Sequence, residues 1–223
     1  MNPPAILFDI DGTLLYARGL GRTAFGRAFE TAYGLSYPDL EELSFVGATD
    51  SNVVRNMAAK CGVPNTPARE EHFFLCLAQI LDAGLAQTPP LVYPGVLQLL
   101  NELNHLGYRL GVITGNIRAT AWSKLRHAGL DHAFCFGAYG NDHHERDVIA
   151  QIACQRAPER CQPYLLIGDT PSDIAAAHMN HLKSVAVATG WVTAKDLCAA
   201  GADLVVDDFA NTENILTQLA ALR

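Results

Sequence analysis

The chain has no basic excess: 16 Lys and Arg face 23 Asp and Glu, for a formal net charge of −7 over 223 residues. Nucleic acids and anionic membrane surfaces are bound through a basic face, so neither is expected as a partner. An anionic substrate would need local positive help, such as a metal ion. No apolar run approaches the length of a membrane span. The six cysteines, Cys61, Cys76, Cys135, Cys154, Cys161 and Cys198, include no CxxC pair. A chain of this length does not need disulfide staples, so reduced thiols and a cytoplasmic location are expected. The eight histidines form no HExxH pattern, which removes that route to a zinc site. No secretory signal is visible, because Met1-Asn2-Pro3-Pro4 leads straight into a strand. Internal repeats and low-complexity tracts are absent too.

What is present reads as a globular protein, with a hydrophobic fraction of 49% and a charged fraction of 17%. The length suits one large domain, or a core carrying a smaller inserted one. The stretch Ala5-Ile6-Leu7-Phe8-Asp9-Ile10-Asp11-Gly12-Thr13-Leu14 organises the rest. A short apolar run followed at once by Asp and Gly reads as a buried parallel strand. Ligands in open α/β sheets bind beyond the carboxyl ends of strands, so Asp9 and Asp11 lie where chemistry is done. Gly12 lets the backbone turn sharply and approach a ligand. Asp-Gly is also a common turn, and the rest of the chain decides between the two.

Beyond residue 15 the pattern turns helical and stays so to about residue 90. Residues 23–33 carry Phe25, Ala28, Phe29 and Ala32 on one face and stop at Gly34. A second helix starts at Thr49 or Asp50 and ends before Gly62. A third starts at Thr66-Pro67 and ends near Gly84. Thr88-Pro89-Pro90 reads as a linker. The expected organisation is a catalytic core of residues 1–15 plus 91–223 and an inserted all-helical cap domain of residues 16–90. From residue 95 onward helices are expected at 95–106, 117–127, 147–156, 174–180 and 213–222, and strands at 108–113, 133–136, 164–167, 184–188 and 202–206. That alternation predicts an α/β fold, a Rossmann-like parallel sheet with helices on both faces.

Three places along this sheet suit chemistry. Asp9, when ionised, can attack phosphorus and split one hard displacement into two easier ones. Asp11 can protonate the leaving group and then take a proton from water. Two carboxylates this close repel, so one is more easily protonated. Thr114-Gly115-Asn116 follows the second strand. A hydroxyl plus backbone N–H groups at a helix start can cradle phosphoryl oxygens, although Thr there also serves as a plain helix cap. Gly168-Asp169-Thr170-Pro171-Ser172-Asp173 follows the fourth strand, and carboxylates with waters and phosphate oxygens suit Mg²⁺. Asp173 can equally be an acid favoured by a helix N-terminus.

Asp9-Ile10-Asp11-Gly12-Thr13-Leu14 resembles the first motif of the haloacid dehalogenase-like (HAD) hydrolases. Thr114 matches the second motif, and the GDxxxD run from Gly168 to Asp173 matches the fourth. The matches fall in order over nearly the whole chain, in the phosphoglycolate phosphatase and β-phosphoglucomutase-like branch with a helical cap. The resemblance implies Asp9 as nucleophile and Asp11 as general acid and base. It implies Mg²⁺ held by Asp9, by Asp11 through its backbone carbonyl, and by Asp169, with Asp173 holding a metal-bound water or bracing the site. Gly12, Thr13, Gly115 and Asn116 would lie against the substrate. The family's third motif carries a Lys, and this chain has none between its third and fourth strands. Arg146 stands at the expected place. Lys124, a few turns into the helix after Thr114, is the rival cation and is expected to pair on the surface. Arg18 and the loop Gly47-Ala48-Thr49-Asp50 are candidate substrate contacts, and His143-His144 is expected in a solvated loop. The implied function is a Mg²⁺-dependent phosphatase that hydrolyses a small phosphorylated metabolite, a phosphate monoester, through an aspartyl-phosphate, as a monomer or homodimer. A sugar-phosphate mutase shares DxDGT and a similar cap, but mutases usually show a His early in the cap, and residues 16–34 contain none. A catalytically weak binding or regulatory protein is the remaining reading, supported by the replaced Lys alone.

Overall fold

Ala5, Ile6, Leu7 and Phe8 are consecutive, apolar and fully buried, and a strand that is apolar on both faces must be covered on both. The computed structural model describes residues 4–159 and 161–222, so residues 1–3, on which the signal-free start was read, lie outside the described residues. In chain order the strands are β1 (Pro4–Phe8), β2 (Leu15–Tyr16), β3 (Leu91–Val92), β4 (Arg109–Ile113), β5 (Phe136–Ala138), β6 (Gln162–Gly168), β7 (Lys183–Val187) and β8 (Leu204–Val206). The helices are α1 (Leu20–Tyr33), α2 (Asp50–Lys60), α3 (Pro67–Gln87), α4 (Val96–His105), α5 (Arg118–His127), α6 (Arg146–Arg156), α7 (Pro171–Met179), α8 (Ala194–Ala199) and α9 (Thr212–Ala221).

Six strands form one parallel sheet in the order β5-β4-β1-β6-β7-β8. Phe8 pairs with Val112 on one side and with Ile167 on the other. Side chains alternate across the pleat. Ile6 and Phe8 pack in the layer of Leu99, Leu125 and Ile215, from α4, α5 and α9. Ala5 and Leu7 pack with Ile149 and Ala177, from α6 and α7. This is the Rossmann-like α/β fold, with helices on both faces. The chain steps outward from β1 through β4 to β5, then returns to β6 on its other side. The crevice beyond the carboxyl end of β1 is therefore a topological switch point, the place where such sheets bind ligands.

Between β2 and β3, which pair antiparallel with Leu15 opposite Val92, the chain makes the helical insertion α1 to α3. Phe25 and Phe73 meet edge to face at 5.3 Å in its core, joined by buried Phe29 and Leu77. The Thr49 hydroxyl accepts from the Asn52 N–H and caps α2, which leaves the Asp50 carboxylate free for another partner. The Thr66 hydroxyl does the same for α3, with Pro67 in its first turn.

Three local expectations are corrected. The third core strand lies at Phe136–Ala138; of the residues before it, Ala133 closes a 3₁₀ turn, Asp131–Ala133, and Phe134 and Cys135 connect the turn to the strand. Ala133 and Phe134 are buried, with the Ala133 N–H on the Leu130 carbonyl, and the exposed Cys135 gives its N–H to the Leu110 carbonyl of β4 as the chain enters the sheet. Helix α3 runs through Gly84 to Gln87, with Gly84 against Leu20 of α1; a single glycine inside a helix weakens it without ending it. The two-residue strands β2 and β3 and the six-residue α8 were not anticipated, since elements that short carry no period. Among the described residues no helix is long and apolar enough to cross a membrane.

Candidate active site

Asp9 stands one residue past β1 and extends its ladder, its N–H donating to the Ile167 carbonyl at 2.9 Å. The chain then turns back on itself, with the Leu14 and Leu15 N–H groups both on the Ile10 carbonyl. Gly12 makes this turn at φ 85°. A Cβ there would lie 2.2 Å from the Asp169 carboxylate, so Gly is required both by conformation and by space. Thr13, a candidate substrate contact from sequence, is fully buried and donates its hydroxyl to Asp169 at 3.2 Å. Asp169, at the end of β6, is pressed from the other side by Gly190, where a Cβ would fall 1.8 Å away. The Thr189 hydroxyl donates to the Gly12 carbonyl at 2.6 Å. The loop after β7 thus braces the first motif, a role that no residue pattern signalled.

Arg146, the first residue of α6, reaches into this group. Its guanidinium meets Asp9 at 2.7 Å and Asp173 at 2.5 Å, with a further bond from Nε to Asp173 at 2.9 Å. Asp173 also closes a capping box with Thr170 at the start of α7. The two readings of Asp173, as a site residue and as a helix-start acid, are therefore both physically present. Asp9, Asp169 and Asp173 are buried and bring carboxylate oxygens within 4.8 Å of one another. Burial pushes the Asp9 carboxyl up to about 7, against the pull of Arg146. Burial likewise pushes Asp169 to about 8, helped by the charges of Asp9 and Asp173. Arg146 is held fully charged, its carboxylate partners outweighing its own burial. Three buried carboxylates against one guanidinium leave an excess of negative charge. Hard oxygen donors with such an excess fit a small divalent cation.

Asp11 takes no part in that cluster. Its carboxylate, 40% exposed, accepts from Lys124 Nζ at 2.6 Å and from Asn116 Nδ2 at 2.7 Å. Lys124 also donates to Asn116 Oδ1 at 2.7 Å, and Asn116 Nδ2 donates to the Thr114 hydroxyl at 2.7 Å. The expectation that Lys124 pairs on the surface is overturned: it is only 5% exposed. Lys124 follows buried Thr120 by one turn, and side chains on a helix lean toward its N-terminus, which carries the ammonium to the carboxyl end of the sheet. Arg146 is therefore the cation on Asp9 and Lys124 the cation on Asp11. Thr114 itself is buried at the end of β4, its N–H on the Ala138 carbonyl.

The helical insertion closes over these residues through one loop. The Asp50 N–H donates to the Gly115 carbonyl at 2.8 Å, and its carboxylate accepts the Ile117 N–H at 2.8 Å. Asp50 thereby caps α5 from outside it, and burial pushes its carboxyl up to about 6. The Ser51 hydroxyl donates to Gly140, and those of Thr49 and the Asn52 amide donate to the His144 carbonyl. Gly115 packs so tightly on Ala48 that a Cβ would lie 2.1 Å from its carbonyl oxygen. His143 and His144 stack their rings at 4.4 Å in the adjoining loop. Under this roof is a cavity of about 630 Å³ whose walls include Asp9, Asp11, Thr114, Lys124, Arg146 and Asp169. Arg18 is exposed, with a left-handed backbone at φ 51°, and lies outside the cavity wall. Arg22, in the first turn of α1, lines it together with Arg146.

The likeness to known proteins runs along the whole chain. The phosphatase IndB of Dickeya dadantii, described as probable, is 28% identical over 217 residues, covering 93% of this chain and 90% of that protein. A phosphoglycolate phosphatase of Rhodospirillum rubrum is 28% identical over 232 residues, covering 94% and 89%. In three dimensions, a variant of CbbY from Rhodobacter sphaeroides in complex with xylulose-(1,5)bisphosphate superimposes with a TM-score of 0.73 at 24% identity, covering 94% of this chain and 96% of that one. The profile of the haloacid dehalogenase-like hydrolases matches residues 6–187, which takes in the first motif, Thr114, Arg146 and both acids of the fourth, and this chain belongs to that family.

Proposed function

We propose that this haloacid dehalogenase-like phosphatase hydrolyses a small phosphate monoester in two steps through an aspartyl-phosphate on Asp9, with Mg²⁺ as its metal. One observation carries the reading. The carboxylate at the switch point of the sheet is bonded to a buried arginine and shares its surroundings with two further buried acids. A carboxylate needs its own charge and the phosphate's offset before it can attack phosphorus.

The residues divide the work as follows. Asp9 attacks phosphorus as the ester P–O bond breaks. Asp11, on the other wall, gives the leaving alkoxide a proton and later takes one from the attacking water. The Asn116 amide and the Lys124 ammonium fix where the Asp11 carboxylate points. Thr114 and the N–H groups before α5 receive phosphoryl oxygens. Arg146 holds Asp9 and faces the same oxygens. Asp9, Asp169 and the Asp11 carbonyl would hold Mg²⁺, with Asp173 steadying Arg146 and the metal's waters. When bound, the metal supplies charge neutralisation of the phosphate and of the nucleophile. Residues 16–90 act as a cap domain on a core of 1–15 plus 91–223, excluding bulk water and selecting the alcohol. The relatives named phosphatases and phosphoglycolate phosphatase support the reaction class, and six free cysteines suit a reducing cytoplasm.

Phosphate release from a panel of monoesters, with Mg²⁺, with EDTA and with Asp9→Asn, tests this. Release that requires Mg²⁺ and disappears in the variant is expected. Release that persists in EDTA, or in Asp9→Asn, would overturn it.

A further inference from the structure

The cavity over the carboxylates has two ends of opposite chemistry. The sheet end carries the charged groups described above. The opposite wall is made by Phe25, Leu43, Phe45, Val46, Val53 and Leu77 of the insertion. Tyr16, Tyr93 and Trp191 also line the cavity, with Tyr93 close enough to Asp169 and Asp11 to feel their charge. This is not only closed core: Val46 is 46% exposed and Trp191 80% exposed, and grouped apolar side chains open to solvent around a cleft mark a binding surface. Among the described residues, the polar side chains that residues 16–90 turn to the cavity are Tyr16, Arg22, Ser44 and Asp50. Asp50 is committed to the Ile117 N–H. Arg22 gives an N–H to the Leu40 carbonyl and lies over the Phe45 ring at 5.3 Å. A polyhydroxylated group placed here would exchange its water for few partners, and a buried hydroxyl left unpaired is costly. The volume, about 630 Å³, lies in the range of sites that enclose ligands far larger than glycolate.

We propose that the alcohol carried by the substrate is an apolar group of at least aromatic-ring size, taken up in the cavity that Phe45, Val46 and Trp191 line, and is neither glycolate nor a sugar. The inference rests on the phosphatase reading and names its substrate class. The reaction is unchanged: the bond from Asp9 to phosphorus forms, the ester P–O bond breaks, and the apolar alcohol departs with the proton from Asp11.

The test compares primary alkyl esters, whose leaving groups are of similar strength. The kcat/KM is measured with Mg²⁺ for ethyl phosphate, 2-phenylethyl phosphate, phosphoglycolate and glucose 6-phosphate. The phenylethyl ester is expected to exceed each of the others by about tenfold or more, and Trp191→Ala, at a solvent-exposed position, is expected to narrow its lead over ethyl phosphate mainly through KM. Phosphoglycolate or glucose 6-phosphate equal to or better than the phenylethyl ester would overturn the inference while leaving the phosphatase intact. A binding arm decides independently of turnover. Calorimetry of the Asp9→Asn protein with 3-phenylpropylphosphonate and with propylphosphonate should show the aromatic compound binding about tenfold tighter or better. Equal affinity would sink the apolar seat. No hydrolysis of any ester would sink the phosphatase reading, and the phosphonates would still decide this one.

Discussion

Asp169 is clamped by the Thr13 hydroxyl, by Gly12 and by Gly190, so a single methyl group should disturb it. Gly12→Ala must adopt a left-handed backbone, at about 1–2 kcal/mol, and must also push the Asp169 carboxylate aside. We expect phosphate release to fall about a hundredfold with the circular dichroism spectrum retained. Wild-type rates in that variant would show that the position of Asp169 is not critical. Arg146→Lys keeps one charge and loses the fork that meets Asp9 and Asp173 together. Steady-state kinetics should show kcat/KM down by about a hundredfold. At this scale the sequence was readable wherever a polar residue ends a strand: Asp9, Thr114 and Asp169 all lie where a buried apolar run stops. Lys124 was misplaced because its helix shows only a weak apolar pattern, and the face that meets the sheet's carboxyl end is set by packing. The bracing loop around Thr189 and Gly190 had no signal, since its partners are 177 residues away in one of its bonds.

At the scale of elements, the insertion is tied to the core by Asp82 of α3, which meets Ser123, Arg126 and His127 of α5, and by residues 47–52, of which Asp50 is the most burdened. Its carboxyl is pushed up to about 6 from 3.8 by burial. A raised folded-state value means that the protonated form is favoured by folding, so this contribution to stability is present below about pH 4 and is lost as pH rises through about 6. Asp50→Asn keeps an acceptor for the Ile117 N–H and carries no charge. The variant should match the wild type near pH 4 and exceed it by about 1–2 kcal/mol near pH 8, read from urea unfolding at each pH. A constant difference across pH would contradict this account of Asp50. The long elements were legible in sequence because burial imposes periods of 3.6 and 2 on them. The β2–β3 pair was not, and neither was the trans-capping by Asp50: Thr49 and Asp50 are equally good caps on paper, and only the fold assigns one to α2 and the other to α5.

For the whole molecule the governing fact is an acidic chain that gathers three buried carboxylates at one point. Asp9 and Asp169 are raised to about 7 and about 8 by burial. By the same sign argument, the metal-free protein loses stability as pH climbs from about 4 to about 8, when those carboxyls must ionise in place. A cation that binds the ionised cluster reverses this. Thermal melts should show Mg²⁺ raising the Tm more near pH 8 than near pH 6, with EDTA abolishing the difference. A Tm indifferent to Mg²⁺ at both values would remove the metal from the cluster. The charge balance foretold a need for local positive help; the apolar lining of the site was not foreseeable, because Phe45 and Val46 lie in one loop and Trp191 in another, far along the chain.

The most direct measurement is to mix the protein with Mg²⁺ and its best monoester, quench in acid within the first turnovers, and locate any phosphoryl group by peptide mass spectrometry. The account predicts one phosphoryl group on the peptide from β1, at Asp9, absent in Asp9→Asn. Turnover with no trapped phosphoryl group, or a phosphoryl group on another residue, would contradict it.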